Sequence, residues 1–247
     1  MSEPGAAKAS ATFCDAVPCS AVFTKASGVA MLIEYRPPLW PYLDIIYQDE
    51  ALLVLNKPSG LLTVPGKAPE HQDCLERRVQ RVFPTAKIVH RLDMATSGLV
   101  VMALSLDSQR SLNRQFELRQ TAKHYIARLE GVVPASRGSV ELPLICDWPN
   151  RPKQMVCFSR GKKALTHFEV LSRDTSSSRV RLIPVTGRSH QLRVHMQWLG
   201  HPILGDKFYA SPVGLAAADR LQLHAEFLAL RHPFDSRWLE FAAPSPF

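Results

Sequence analysis

The apolar residues of this chain come in short runs closed by turn residues, and this limits the fold more than any other feature. Leu52-Leu53-Val54-Leu55 ends at Lys57-Pro58-Ser59-Gly60, and Leu99-Val100-Val101-Met102 follows the polar stretch from Asp93 to Gly98. Runs of this length suit buried strands. None approaches the roughly 20 apolar residues that a bilayer-spanning helix needs. With 46% hydrophobic residues in 247, the chain can nonetheless bury a sizeable core.

Ordered patterning begins near Trp40. Asp44 to Tyr47 and Leu52 to Leu55 read as strands about a turn at Gln48-Asp49-Glu50, and Tyr125 to Leu129 and Val180 to Val185 as further strands. Met155 to Phe158 and Leu165 to Val170 suggest a hairpin around the basic turn Arg160-Gly161-Lys162-Lys163. Three helices are predicted. One starts at Asp73 as N-cap, with Leu75, Val79 and Val82 on one face; one runs from Asp107 to Arg119. The third starts at a capping Ser189, with Leu192, Met196 and Leu199 on one face and Gly200 as its stop. Strands outnumber helices and short turns join them. The expected fold is therefore α+β, a mixed, largely antiparallel sheet with flanking helices. No composition break follows residue 39, so residues 39–247 are expected to form one domain.

Charge and cysteine usage narrow the setting. The net charge of +8 favours a polyanionic partner, since cations beside phosphates release condensed counterions; a soluble protein that simply runs basic fits as well. Five cysteines, odd in number and without C-x-x-C spacing, do not form a disulfide scaffold or zinc motif. They point to a reducing compartment and a cytoplasmic protein. His190, His195 and His201 lack the spacing that stacks two ligands on one helix face, so no metal site is expected. Residues 1–38, rich in Ala and Ser, have no apolar core of a secretory signal and read as a disordered extension.

Two clusters could carry chemistry. Asp93 ends an apolar stretch and precedes Thr96-Ser97-Gly98. A carboxylate there can reach a cleft, or can accept bonds from the following amides in a common Asx turn. The run Gly187-Arg188-Ser189-His190-Gln191-Leu192-Arg193 places cations at a predicted helix start. Arg188 there could bind an anion, and Arg193 could pair with a carboxylate such as Asp93; a solvated basic face explains both equally. Tyr125 is either a core tyrosine or a platform for a displaced base.

Three separated stretches together resemble the RluA-type pseudouridine synthases. They are Leu55-Asn56-Lys57-Pro58-Ser59-Gly60-Leu61-Leu62, then His90-Arg91-Leu92-Asp93-Met94-Ala95-Thr96-Ser97-Gly98, then Gly187 to His195 continuing into Gly200-His201-Pro202-Ile203-Leu204-Gly205-Asp206. The resemblance covers about residue 40 onward. The stretch Leu144 to Gln154 narrows it to the compact members that lack an S4 RNA-binding domain. It implies a pseudouridine synthase catalytic domain with a central cleft, acting on uridine in a tRNA anticodon stem-loop and in 23S-type large-subunit rRNA, as a monomer and without cofactor.

By the same resemblance Asp93 is the catalytic carboxylate, Arg193 its ion-pair partner, and Tyr125 the aromatic that stacks on uracil. Arg91 fills the gap left by the flipped nucleotide and Leu192 packs on the base. His90, Thr96 and Arg188 complete the implied substrate-binding set. Uracil must be detached from C1′, turned and rejoined through C5, so a carboxylate serves as nucleophile or as base, and the base must leave its stack. Two other readings are weaker. A catalytically silent RNA-binding or RNA-chaperone protein has no need of Asp93, Tyr125 and Arg193 together. A hydrolytic glycosidase needs a second carboxylate, which the signature segments lack.

Overall fold

The structure is a computed structural model that describes residues 35–247; residues 1–34, with most of the extension expected to be disordered, lie outside the described residues. Twelve strands, β1 (Ile45–Gln48), β2 (Leu52–Lys57), β3 (Lys87–Ile88), β4 (Ser97–Ala103), β5 (Ala122–Glu130), β6 (Arg137–Glu141), β7 (Leu144–Cys146), β8 (Gln154–Val156), β9 (Leu165–Arg173), β10 (Ser177–Pro184), β11 (Leu223–Arg231) and β12 (Trp238–Ala242), accompany four helices: α1 (Leu75–Gln80), α2 (Leu106–Glu117), α3 (Gln191–Trp198) and α4 (Pro212–Ala216). Ten strands form one sheet in the order β1-β2-β4-β11-β5-β10-β9-β6, with β12 on β11 and β3 on β4. Its pairs are antiparallel except β4 with β11, which run parallel at Ser97–His224 and Gly98–Ala225. The mixed, largely antiparallel α+β reading is borne out.

β4 is buried along its whole length, which explains its unbroken apolar run: a strand covered on both faces has no polar alternation. Leu99 and Val101 pack with Leu112 of α2 on one face. Val100 and Met102 pack with Leu75 and Val79 of α1 on the other. A separate core joins Ala127 and Leu129 of β5, Val180 and Leu182 of β10, and Leu192 and Met196 of α3. The sheet thus has two wings, and β11 is the strand that joins them.

Several local expectations change. Tyr35 lies within the segment expected to be disordered, yet its hydroxyl donates to the Asp73 carbonyl at 2.6 Å and accepts from the Leu62 N–H at 3.0 Å. Asp73 does not cap α1; Cys74 occupies that position, and the Asp73 carboxylate instead grips Arg78 through two bonds. α1 ends at Gln80, which leaves Val82 exposed. Met155 and its neighbours pair with β7 rather than with β9. The basic turn folds back instead, with Gly161 donating to Cys157 and Leu144 and Lys162 exchanging backbone bonds. A Cβ on Gly161 would lie 2.4 Å from the Cys157 oxygen, so the turn needs glycine. Ser189 does not cap α3. His190 takes the N-cap position in the left-handed region, at φ 53°, and the Gln191 side chain accepts from the Arg188 N–H. Leu199 lies past the helix and is exposed.

Candidate active site

The loop between β3 and β4 is held by its backbone. The Met94 carbonyl accepts from the Gly60 N–H at 2.8 Å and from the Lys57 ammonium at 3.2 Å. Ser59 Oγ donates to the Ala95 carbonyl, and Thr63 Oγ1 to the Leu92 carbonyl. The segment Lys57 to Thr63 is therefore a clamp on residues 92–95. Lys57 is wholly buried and also donates to the Pro58 and Leu61 carbonyls. Burial lowers its pKa to about 7, against the opposing pull of the Asp93 charge.

Because the clamp and the turn use main-chain atoms, the Asp93 side chain is left for the cavity. The Thr96 N–H bonds the Asp93 carbonyl at 3.1 Å, not its carboxylate. The carboxylate accepts instead from Arg193 Nη1 at 3.2 Å, a pairing across one hundred positions of sequence, and remains 29% exposed. Arg193 comes from the first turns of α3 and is buried. It donates from Nε and Nη2 to the two oxygens of the fully buried Asp206, both at 2.7 Å. Burial alone would depress the Arg193 pKa; the bonds and charge of Asp206, with the charge of Asp93, override it and raise it.

Arg91, Asp93, Thr96, Tyr125, Arg188, Leu192 and Arg193 line one open cavity, together with Lys123 and His190. Tyr125 sits on β5 opposite Leu182 of β10. Burial first, and then the Asp93 charge, push its phenol pKa above the ordinary value. Arg91 is exposed and Arg188 holds the Lys163 carbonyl at the rim, so both can meet a phosphate. Leu192 is 7% exposed and supplies an apolar wall.

His90 is the exception among the residues expected to bind substrate. Its ring stacks on Phe116 at 4.7 Å and its Nε2 accepts from the Val101 N–H, so it faces the α2 side and does not line the cavity. Burial lowers its pKa to about 3, keeping the ring neutral. Its work is structural: it ties the start of the loop to β4.

Sequence reasoning gave no role to Lys57, Asp206 or Tyr209, and read His190 only as a structural or RNA-contacting residue. Lys57 and Asp206 stand inside the motifs quoted above, and a lysine or aspartate set among apolar and glycine residues is a signal of buried pairing. Among the described residues no group of three or more His, Cys, Asp or Glu is placed to hold a metal. No helix among them is long and apolar enough to cross a membrane. Cys74, Cys146 and Cys157 are free thiols.

A carboxylate held by an arginine, beside an apolar wall and a half-buried tyrosine and below a cationic rim, can attack or deprotonate a sugar whose base is drawn out of an anionic polymer. Comparison with known proteins gives the same answer. The family described as RNA pseudouridylate synthase matches residues 51–198. The chain is 55% identical over 217 residues to the dual-specificity RNA pseudouridine synthase RluA of Pasteurella multocida, covering 87% of this chain and 99% of that protein. It is 57% identical over 204 residues to the RluA of Yersinia pestis, covering 82% and 96%. Among solved structures it is similar to human RNA pseudouridylate synthase domain containing 1, with TM-score 0.70, 31% identity, and 83% and 84% of the two chains covered. The chain belongs to the RNA pseudouridine synthase family.

Proposed function

We propose that this enzyme converts uridine to pseudouridine at two kinds of site, in a tRNA anticodon stem-loop and in large-subunit rRNA, as a cytoplasmic monomer. The dual specificity in the names of its relatives supports the substrate reading. Residues 39–247 act as one catalytic domain. In this reading Asp93 engages the sugar at C1′, Arg193 keeps it ionised, and Tyr125 and Leu192 hold the uracil. Arg91 and Arg188 meet the RNA backbone or the gap left by the flipped nucleotide, and Thr96 fixes the turn that presents Asp93.

One observation carries the proposal: the Asp93 carboxylate is spared by its own turn and faces the cavity while bonded to Arg193. The deciding experiment is Asp93→Asn. It is expected to abolish pseudouridine formation in unmodified tRNA and rRNA while leaving RNA binding within about twofold. Full turnover by Asp93→Asn would overturn the mechanism. Mapping pseudouridine in RNA from cells with and without the gene tests the two substrate classes.

A further inference from the structure

His190 stands in the cavity with no role so far. It is the residue before α3, in a left-handed backbone conformation at φ 53° that side-chain-bearing residues seldom adopt. Such a conformation persists where the surroundings fix it, and here they do. The ring stacks on Phe208 at 5.8 Å with 18° between the planes, and lies edge-on to Tyr209 at 5.6 Å. Its side chain is 10% exposed.

The hydrogen bonds and the charge facing the ring together set the tautomer. The Tyr209 hydroxyl oxygen accepts the Gln154 N–H at 2.7 Å. Its single proton has two acceptors in range, the Gln154 carbonyl at 3.4 Å and His190 Nδ1 at 2.7 Å. Either direction fits the 2.7 Å contact, but a bare Nε2 would turn its lone pair on the Asp93 carboxylate 3.9 Å away, whereas an Nε2–H turns its positive end there, so the Tyr209 proton goes to Nδ1. Nδ1 is then an acceptor, so the proton of the neutral ring is on Nε2. The charged or titratable groups around the ring are Asp93, Arg193, Asp206 and Tyr209, and burial is the largest influence, lowering its pKa so that it stays neutral.

Nε2 lies 3.9 Å from Asp93 Oδ2. That is too far for a direct bond, so the Nε2–H faces the cavity beside the carboxylate without being spent on it. Arg193 binds the same oxygen, Oδ2, so Oδ1 is the oxygen left to react. A carboxylate working at C1′ lies near N1 of the uracil and therefore near its neighbouring carbonyl, O2.

We propose that His190 is a catalytic hydrogen-bond donor, oriented by Tyr209, whose Nε2–H engages the O2 oxygen of the departing uracil. When the C1′–N1 bond breaks, its electron pair leaves with the ring and spreads onto O2. His190 donates a hydrogen bond to that charge and gives up no proton, so it is unchanged when the C5 bond forms. A donor aimed at developing charge in a shielded site is worth about 10²–10³ in rate. Tyr209 acts through His190 and is a positioning residue.

The proposal rests on Asp93 as the reacting group, and its test separates the two. Nitrogen-15 spectra of the free wild-type protein are expected to show His190 with a bare Nδ1 and a protonated Nε2, and Tyr209→Phe to convert this to a mixture of tautomers. On unmodified tRNA, His190→Ala is expected to lower the single-turnover rate about 100-fold with RNA affinity unchanged, and His190→Gln, which keeps an N–H, to recover part of it. A proton on Nδ1 in the wild type overturns the proposal without any turnover measurement, as does His190→Ala at the wild-type rate. An active Asp93→Asn overturns the parent reading instead, and leaves the tautomer result standing.

Discussion

Asp206 grips the Arg193 guanidinium with two hydrogen bonds of 2.7 Å, whereas Asp93 holds it with one of 3.2 Å. The arginine is thus fixed by a residue outside the cavity and presented to the one inside. Asp206→Asn keeps the shape and removes the charge. Breaking a buried ion pair costs about 3–5 kcal/mol, and Asp93 still offsets part of the loss, so about 3 kcal/mol is expected in urea unfolding. Turnover should fall as well, because the freed arginine draws Asp93 from its place. Wild-type stability and rate in this variant would show that Asp93 alone positions Arg193.

Two neutral histidines should make the fold acid-sensitive. Burial holds His90 at about 3 and His195 at about 4, both below the ordinary 6.5. The unfolded chain takes up protons at these positions that the folded one refuses. Stability is then fully present above pH 6.5 and is lost as pH falls toward 4 and 3, by at most about 1.4 kcal/mol per pH unit for each ring. His90→Gln should flatten part of this slope in denaturant titrations run from pH 7 to 4. An unchanged slope would mean that the His90 ring takes up its proton as readily in the fold as in the unfolded chain.

Tyr125 should not set the alkaline limit of activity. Burial and the Asp93 charge hold its phenol above the ordinary 10.0, so it stays protonated through the working range. Tyr125→Phe is expected to slow turnover while leaving the alkaline limb of the pH–rate profile where it is in the wild type. A limb that vanishes in the phenylalanine variant would assign that ionisation to Tyr125.

Gly98 adopts φ 113°, and a Cβ there would lie 2.3 Å from the Ala225 oxygen. It sits at the single parallel contact of the sheet. Gly98→Ala therefore combines backbone strain with a clash that backbone atoms must absorb. A loss of about 3 kcal/mol or more is expected, together with loss of the β4–β11 bonds in hydrogen exchange. A neutral alanine here would mean that β11 can slide along β4.

Much of this was readable in order of residues. The strand at Leu99 to Met102 announced itself by its unbroken apolar run, and the pairing of Asp93 with Arg193 followed from the family resemblance of their two motifs. The direction of His90 did not follow. Successive residues near a strand point to opposite sides, so of the neighbours His90 and Arg91 one turns to Phe116 and the other to solvent, and a motif does not say which. The cap of α3 was misread because the helix begins after His190, whose side chain makes no cap bond, while Gln191 reaches back to the Arg188 N–H ahead of the helix. Asp206 was hidden for a third reason. Its partner is settled by how the loop after α3 folds under the helix, a contact that spacing along the chain leaves open.

The central place of β11 bears on how the molecule is made. Asp93 belongs to the wing of β1, β2 and β4, while Tyr125 and Arg193 belong to the wing of β5 and β10. The strand that binds one wing to the other spans Leu223–Arg231, after all three. During synthesis the carboxylate, the tyrosine and the arginine have already left the ribosome before the wings have anything to join them. A chain emerging N-terminus first, at about 5–20 residues per second, therefore carries these three side chains for a time as separate parts. Competence to act on RNA arrives in one late docking step.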